Sequence, residues 1–206
     1  MSSYFITAID TDSGKTLVSA ILVQALQADY WKPIQSGLPR DTERVQSLVN
    51  SPHSVFHPEA YLLSQPLSPH ASAAIDGVRI DLAAINPPQT TRHLVIEGAG
   101  GVLVPLNDRD FVIDIAARAG GEVILVADLY LGSINHTLLT INELKRRSER
   151  GEFRVRGIIF NGDPVPASEE IILKHSGYEC LLHITREETI DTAVVEKYAK
   201  QLSVIS

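Results

Sequence analysis

Ala8-Ile9-Asp10-Thr11-Asp12-Ser13-Gly14-Lys15-Thr16 follows the apolar run Tyr4-Phe5-Ile6 and precedes the helix-like stretch Leu17 to Leu26. Set against G-x-x-x-x-G-K-[ST], it fills the last three fixed positions with Gly14, Lys15 and Thr16; the opening position, five before Gly14, is Ile9, and no glycine stands there or at Ala8, which ends the apolar run. Each position of the pattern has a physical reason. A strand ends, the chain turns tightly, and free backbone N–H groups meet the positive end of a starting helix at one anion. Gly14 lets the backbone approach phosphates without a Cβ in the way. Lys15 reaches the terminal phosphates, and Thr16 offers its hydroxyl to Mg²⁺, which prefers oxygen ligands. Side chains at Ala8 and Ile9 are compatible with this only where φ is negative.

The whole chain sets wider bounds. Its 206 residues, 44% hydrophobic and 21% charged, suit one globular domain over 1–206. No apolar run is long enough to span a bilayer. Met1-Ser2-Ser3-Tyr4 lacks the basic and apolar regions of a signal peptide. Cys180 is the single cysteine, so no internal disulfide forms, and the expected compartment is the cytoplasm. A net charge of −7 argues against broad binding to a nucleic-acid backbone. The one basic cluster, Lys145-Arg146-Arg147, reads as a solvated helix end.

Downstream of the loop, strands and helices alternate. Helix is expected from Lys15 to Ala28, then a short strand over Tyr30 to Ile34, then helix over Thr42 to Val49 with Asp41 as its N-cap. Residues 50–70 read as loop, with short helices starting near Pro69 and over Ile80 to Ile85, the latter stopped by Asn86-Pro87-Pro88. His93 to Glu97 is a buried strand opening into Gly98-Ala99-Gly100-Gly101. Helices over Phe111–Ala119, His136–Arg147, Ala167–His175 and Thr192–Leu202 alternate with strands over Glu122–Ala127, Val155–Phe160 and Cys180–His183. The implied fold class is α/β, a mostly parallel sheet with helices on both faces, of the P-loop nucleotide-hydrolase kind. Ligands of such sheets lie beyond the carboxyl ends of the strands.

Polar residues collect at those ends over Asp10 to Thr16, Lys32 to Ser36, Glu97 to Gly101, Asp128 to Asn135 and at Asn161, and five segments at strand ends or loops stand out: Asp10 to Thr16, Lys32-Pro33-Ile34-Gln35-Ser36-Gly37, Ser68-Pro69-His70, Glu97 to Leu106, and Leu131-Gly132-Ser133-Ile134-Asn135-His136. Together, in this order and over nearly the full length, they resemble the dethiobiotin synthetase family. That resemblance implies ATP-dependent carboxylation of 7,8-diaminononanoate with CO₂ and ring closure to dethiobiotin, ADP and phosphate, through a carbamate and a carbamic-phosphoric anhydride.

The resemblance also distributes roles. Lys32 and Lys15 are the catalytic pair, offsetting charge on the carbamate and γ-phosphate. ATP falls to Asp12, Ser13, Gly14, Lys15, Thr16 and Leu17, to Asp41, to Glu97, Gly98, Ala99 and Gly100, and to Asn161 and Gly162. Mg²⁺ falls to Thr16, Asp41 and Glu97. The substrate falls to Thr11, Ser36, Gly132 and Asn135, the last across a homodimer interface. Glu97 also stands out by itself, since a carboxylate ending a buried apolar strand is costly without a partner. His70 is expected to be structural or substrate-lining, and His183-Ile184-Thr185-Arg186 to border the adenine. The competing reading is a regulatory ATPase of the partitioning and cell-division-site type. Those resemble one another in a second lysine five positions before Lys15, where this chain has Asp10.

Overall fold

In a computed structural model that describes residues 1–202, β1 (Ser3–Ala8) leads through the loop into α1 (Lys15–Leu26). There follow β2 (Asp29–Trp31), β3 (Ile34–Ser36), α2 (Asp41–Leu48), β4 (Phe56–His57), β5 (Tyr61–Leu63) and α3 (Pro69–Ile75). After a 3₁₀ turn at Leu82–Ala84 come β6 (Leu94–Gly101), α4 (Val112–Ala119), β7 (Glu122–Asp128) and α5 (Ser133–Ser148). The described part closes with β8 (Arg154–Asn161), α6 (Pro166–Ser176), β9 (Cys180–Ile184) and α7 (Thr192–Ala199).

Seven strands form one sheet in the order β4-β2-β6-β1-β7-β8-β9, every neighbouring pair parallel. β1 lies between β6 and β7, so the loop leaves the sheet where strand order reverses and a crevice opens. Side-chain alternation explains the two-faced core. Phe5 joins the layer packed by α4 and α5, whereas Tyr4, Ile6 and Ala8 join the layer packed by α1, α2 and α7. Inside that second layer α1 buries Val18, Ile21, Leu22 and Val23 completely, which is why its sequence is apolar nearly all round.

Several expectations need correction. The first helix stops at Leu26 because Gln27 adopts φ +49, a left-handed C-cap. The single strand expected over Tyr30 to Ile34 is two, broken at Lys32-Pro33; β3 instead pairs with β5 in a separate two-stranded sheet. Residues 50–70 therefore hold β4 and β5, elements of two and three residues that show no periodicity. Asp41 is the first helical residue of α2 and Arg40 the cap position; neither caps through its side chain, because the Asp41 carboxylate is engaged elsewhere. Gly132 at φ +104 lets α5 begin at Ser133, three residues earlier than expected. The stretch Ile80 to Ile85 holds only the 3₁₀ turn, capped by Asp81 accepting from the Ala83 N–H at 2.9 Å.

The basic cluster is not simply a solvated helix end. Arg147 is 7% exposed and pairs with Asp114 of α4 at 2.5 Å, Glu143 at 2.8 Å and Glu152 at 3.1 Å. It ties two helices on the same sheet face. Among the described residues no helix is long and apolar enough to cross a membrane.

Candidate active site

Ala8 ends β1 in register with Val126 and Gly101, and its φ is not among the positive ones. Ile9, at the pattern's opening position, is likewise not in the left-handed region, and its N–H still donates to the Val126 carbonyl at 3.2 Å, so a Cβ is tolerated where the pattern has its first glycine. The turn tightens only at Gly14, whose φ of +95 disfavours any side chain; a Cβ there would meet Asn161 Nδ2 at 2.4 Å. Gly14 gives α1 no side-chain cap, so the first amides of this helix remain available to an anion. The Ser13 hydroxyl accepts from the Asp10 N–H at 3.1 Å and braces the turn, while Asp12 is exposed.

Lys15 folds back over its own loop, donating to the carbonyls of Asp10 and Thr11 at 2.9 Å each. Burial lowers its pKa to about 8, against the opposing pull of Glu97. Lys32 is buried too, but its ammonium donates to Glu97 Oε1 at 2.9 Å and to Asp41 Oδ2. Burial alone would lower its pKa; the two carboxylates override this and hold it above the ordinary lysine value.

Glu97 is the centre of the arrangement. It is 1% exposed, and Oε1 accepts from Lys32 and from the Thr16 hydroxyl at 2.9 Å, while Oε2 accepts from the Tyr30 hydroxyl at 2.9 Å. Burial favours the neutral acid, yet Lys32 and the hydrogen bonds keep its pKa below the usual carboxylate value. The buried strand-end carboxylate thus has the partners it requires. Asp41 and Glu97 hold the Lys32 ammonium between them, and Thr16 joins this set of hard oxygen groups through its hydrogen bond to Glu97. Among the described residues no three or more His, Cys, Asp or Glu gather as a metal cluster. Two carboxylates and a hydroxyl suit Mg²⁺, which usually keeps waters and takes phosphate oxygens rather than a full protein cage.

Of the cavities beside the loop, two between them border Lys32, Thr16 and Asn161. One of about 460 Å³ is lined by Thr11, Lys32, Ser36, Asp41, Ala99 and Gly100, together with Ser68 and Pro69. The Ser36 hydroxyl is buried at the border of this cavity with no protein hydrogen-bond partner. The other, about 440 Å³, is lined by Gly14, Thr16, Leu17, Asn161, Arg186 and Glu187. Asn161 donates to the Ser13 carbonyl at 3.0 Å and so bridges the end of β8 to the loop. Behind it Gly162, at φ +117, turns the chain and donates to the Ile184 carbonyl at 2.9 Å. Gly100 needs its φ of +72, whereas Gly98 packs, its absent Cβ lying 3.1 Å from the Phe5 ring. Gly132 and Asn135 sit exposed at the start of α5, outside the 460 Å³ cavity of their own chain, and His70 is exposed without lining it.

Three residues that shape the site escaped the sequence reading. Tyr30 holds Glu97; Gln35 accepts from the Asp41 N–H at 3.1 Å. Buried Glu59 accepts from Thr42 at 2.7 Å and pairs with Arg40, gripping both sides of Asp41. Gln35 lies inside the quoted Lys32-to-Gly37 motif, but nothing local marks Tyr30 or Glu59.

A family model described as an AAA domain matches residues 2–194. The chain is 60% identical over 204 residues to an ATP-dependent dethiobiotin synthetase of Cytophaga hutchinsonii, covering 98% of this chain and 97% of that one. It is 47% identical to the protein of the same name from Christiangramia forsetii, covering 97% and 95%. It also matches 42% of the length of a biotin biosynthesis bifunctional protein of Bordetella avium, at 39% identity over 96% of this chain. Among solved structures, a ParA family ATPase from Chlorobium tepidum superposes with a TM-score of 0.53 at 11% identity, covering 97% and 98% of the two chains. Apo McdA from Cyanothece gives 0.58 at 13%, covering 100% and 94%. These last two likenesses establish the P-loop fold and nothing finer. The end-to-end identity to the synthetases, on a chain that gathers the loop, two buried lysines and Glu97 at the carboxyl ends of the central strands, decides the rest: the chain belongs to the dethiobiotin synthetase family, ATP-using enzymes of biotin biosynthesis.

Proposed function

We propose that the chain converts 7,8-diaminononanoate, CO₂ and ATP to dethiobiotin, ADP and phosphate. One substrate amine adds to CO₂ and loses a proton, giving a carbamate. A carbamate oxygen attacks the γ-phosphorus and ADP leaves. The second amine attacks the carbamoyl carbon, and phosphate departs with closure of the cyclic urea. Negative charge gathers at one place throughout, so the task is positioning and charge stabilisation. The observation that carries the reading is Lys32, buried at the border of the 460 Å³ cavity and held by Glu97 and Asp41.

The roles follow from position. The amides at the start of α1 and Lys15 hold the β- and γ-phosphates, and Asn161 with Leu17 contacts the base. Lys32 orients the carbamate, and the partnerless Ser36 hydroxyl binds the same end of the substrate beside Thr11 and Gly100. Thr16, Asp41 and Glu97 would hold Mg²⁺, which supplies charge neutralisation on the phosphates. Gly132 and Asn135, outside their own cavity, serve the substrate's distant carboxylate in a second chain, making the enzyme a homodimer of the cytoplasm.

The test is product formation by the purified protein with the diamine, bicarbonate, Mg²⁺ and ATP, following ADP and dethiobiotin by mass. Both should appear in equal amounts and require both diamine and bicarbonate. ATP hydrolysis indifferent to the diamine would overturn the proposal in favour of a regulatory ATPase.

A further inference from the structure

Tyr30 lies two residues before Lys32, on β2, and is fully buried in the core layer beneath α1. A phenylalanine would fill the same space. The hydroxyl is therefore the informative part, and it donates to Glu97 Oε2 at 2.9 Å across 67 positions of sequence. The two oxygens of Glu97 are thus used differently. Oε1 accepts from Lys32 and Thr16, which border the cavities, whereas Oε2 accepts from a fully buried phenol.

We infer that Tyr30 is a positioning and ion-selecting residue: by occupying Oε2 it makes Glu97 present Oε1 alone to a cation, favouring a small octahedral ion over one that accepts bidentate carboxylates. The inference rests on the reading of Glu97 as a metal ligand proposed above. Its chemistry is general. Mg²⁺ demands near-octahedral geometry and takes carboxylates sparingly, while Ca²⁺ takes six to eight oxygens and readily chelates both oxygens of one carboxylate. Hydrogen bonds to a ligating group fix its orientation, and losing one typically costs 10–100-fold in metal affinity.

The experiment compares wild type, Tyr30→Phe and Glu97→Gln as full-length proteins. Mn²⁺ binding is followed by electron paramagnetic resonance with a non-hydrolysable ATP analogue, with Mg²⁺ and Ca²⁺ as competitors, and turnover is titrated with Mg²⁺. For Tyr30→Phe the Mg²⁺ needed for half-maximal rate should rise at least about tenfold, and the preference for Mg²⁺ over Ca²⁺ should narrow, with the KM for the diamine unchanged. Thermal melting is recorded alongside. A Tyr30→Phe protein that melts lower but keeps the wild-type Mg²⁺ and Ca²⁺ affinities confines Tyr30 to the fold and overturns the inference. Unchanged metal binding in Glu97→Gln overturns the metal reading of Glu97 and the inference with it; weakened binding there with an unaffected Tyr30→Phe overturns the inference alone.

Discussion

Lys32 Nζ lies 2.9 Å from Glu97 Oε1 although 65 residues separate the two in sequence, and both side chains are almost wholly excluded from water. The strand-end lysine is therefore the counter-ion of the buried carboxylate as well as a candidate for chemistry. Lys32→Ala should remove both functions. Product formation is expected to fall by at least about a hundredfold. Leaving Glu97 and Asp41 without their cation should also cost about 3–5 kcal/mol of stability. Urea unfolding with and without Mg²⁺ checks the second part, since the divalent ion should restore more stability in the variant than in wild type. Wild-type turnover in Lys32→Ala would remove this lysine from the reaction.

Ala8 is expected to be harmless to nucleotide binding. It is fully buried in extended backbone, paired with Val126, and the loop's tight turn comes six residues later at Gly14. Ala8→Gly should leave ATP affinity unchanged and lower stability by about 1 kcal/mol, from added freedom of the unfolded chain and a lost buried methyl. Calorimetric titration with ATP and a thermal melt decide it. A tenfold gain in affinity would mean that the Ala8 methyl crowds the phosphates.

Lys15 gives a pH signature. Burial brings its pKa to about 8 from an ordinary 10.5. Between those values the unfolded chain binds more protons at this site, so its contribution to stability rises with pH across the window. A phosphate restores the charged form, so ATP binding should take up a proton there and weaken as pH rises through about 8. Titrations in buffers of different ionisation enthalpy measure the uptake. Lys15→Arg, which cannot titrate in the window, should abolish it.

Glu143 offers a test on the far side of the sheet from α1. Hydrogen bonds from Arg146, then Arg147, bring its pKa to about 2 from 4.5. A depressed carboxylate stabilises above its unfolded pKa, and the effect is lost as pH falls through the folded one. Glu143→Gln should cost about 1 kcal/mol at neutral pH, a difference that shrinks between pH 4.5 and 2. Chemical denaturation across that range measures it.

Legibility followed the range of the physics. The strand Tyr4 to Ile6, the turn at Gly14 and helix α1 could be read because apolar runs, a glycine and a Lys-Thr pair are contiguous signals. Glu97 could be flagged because burial of a carboxylate is implied by the four apolar or weakly polar residues ahead of it. Tyr30 and Glu59 could not, since what they do depends on partners 67 and 17 positions away. β4 and β5 were invisible because two or three residues carry no period, and they exist through pairing with β2 and β3. The break at Lys32-Pro33 was written in the proline, yet only the separate pairing of β3 gave it meaning.

The lysine that clasps the carbonyls of Asp10 and Thr11 has a consequence for which molecules the loop admits. An arriving ligand must exchange partners with Lys15 rather than meet a free charge, so what it gains is a difference between two sets of bonds. That exchange is expected to be favourable only for a phosphate chain long enough to draw the ammonium away. A nucleoside monophosphate should therefore leave the clasp shut, and binding is expected to depend on the length of the phosphate tail before the base is consulted.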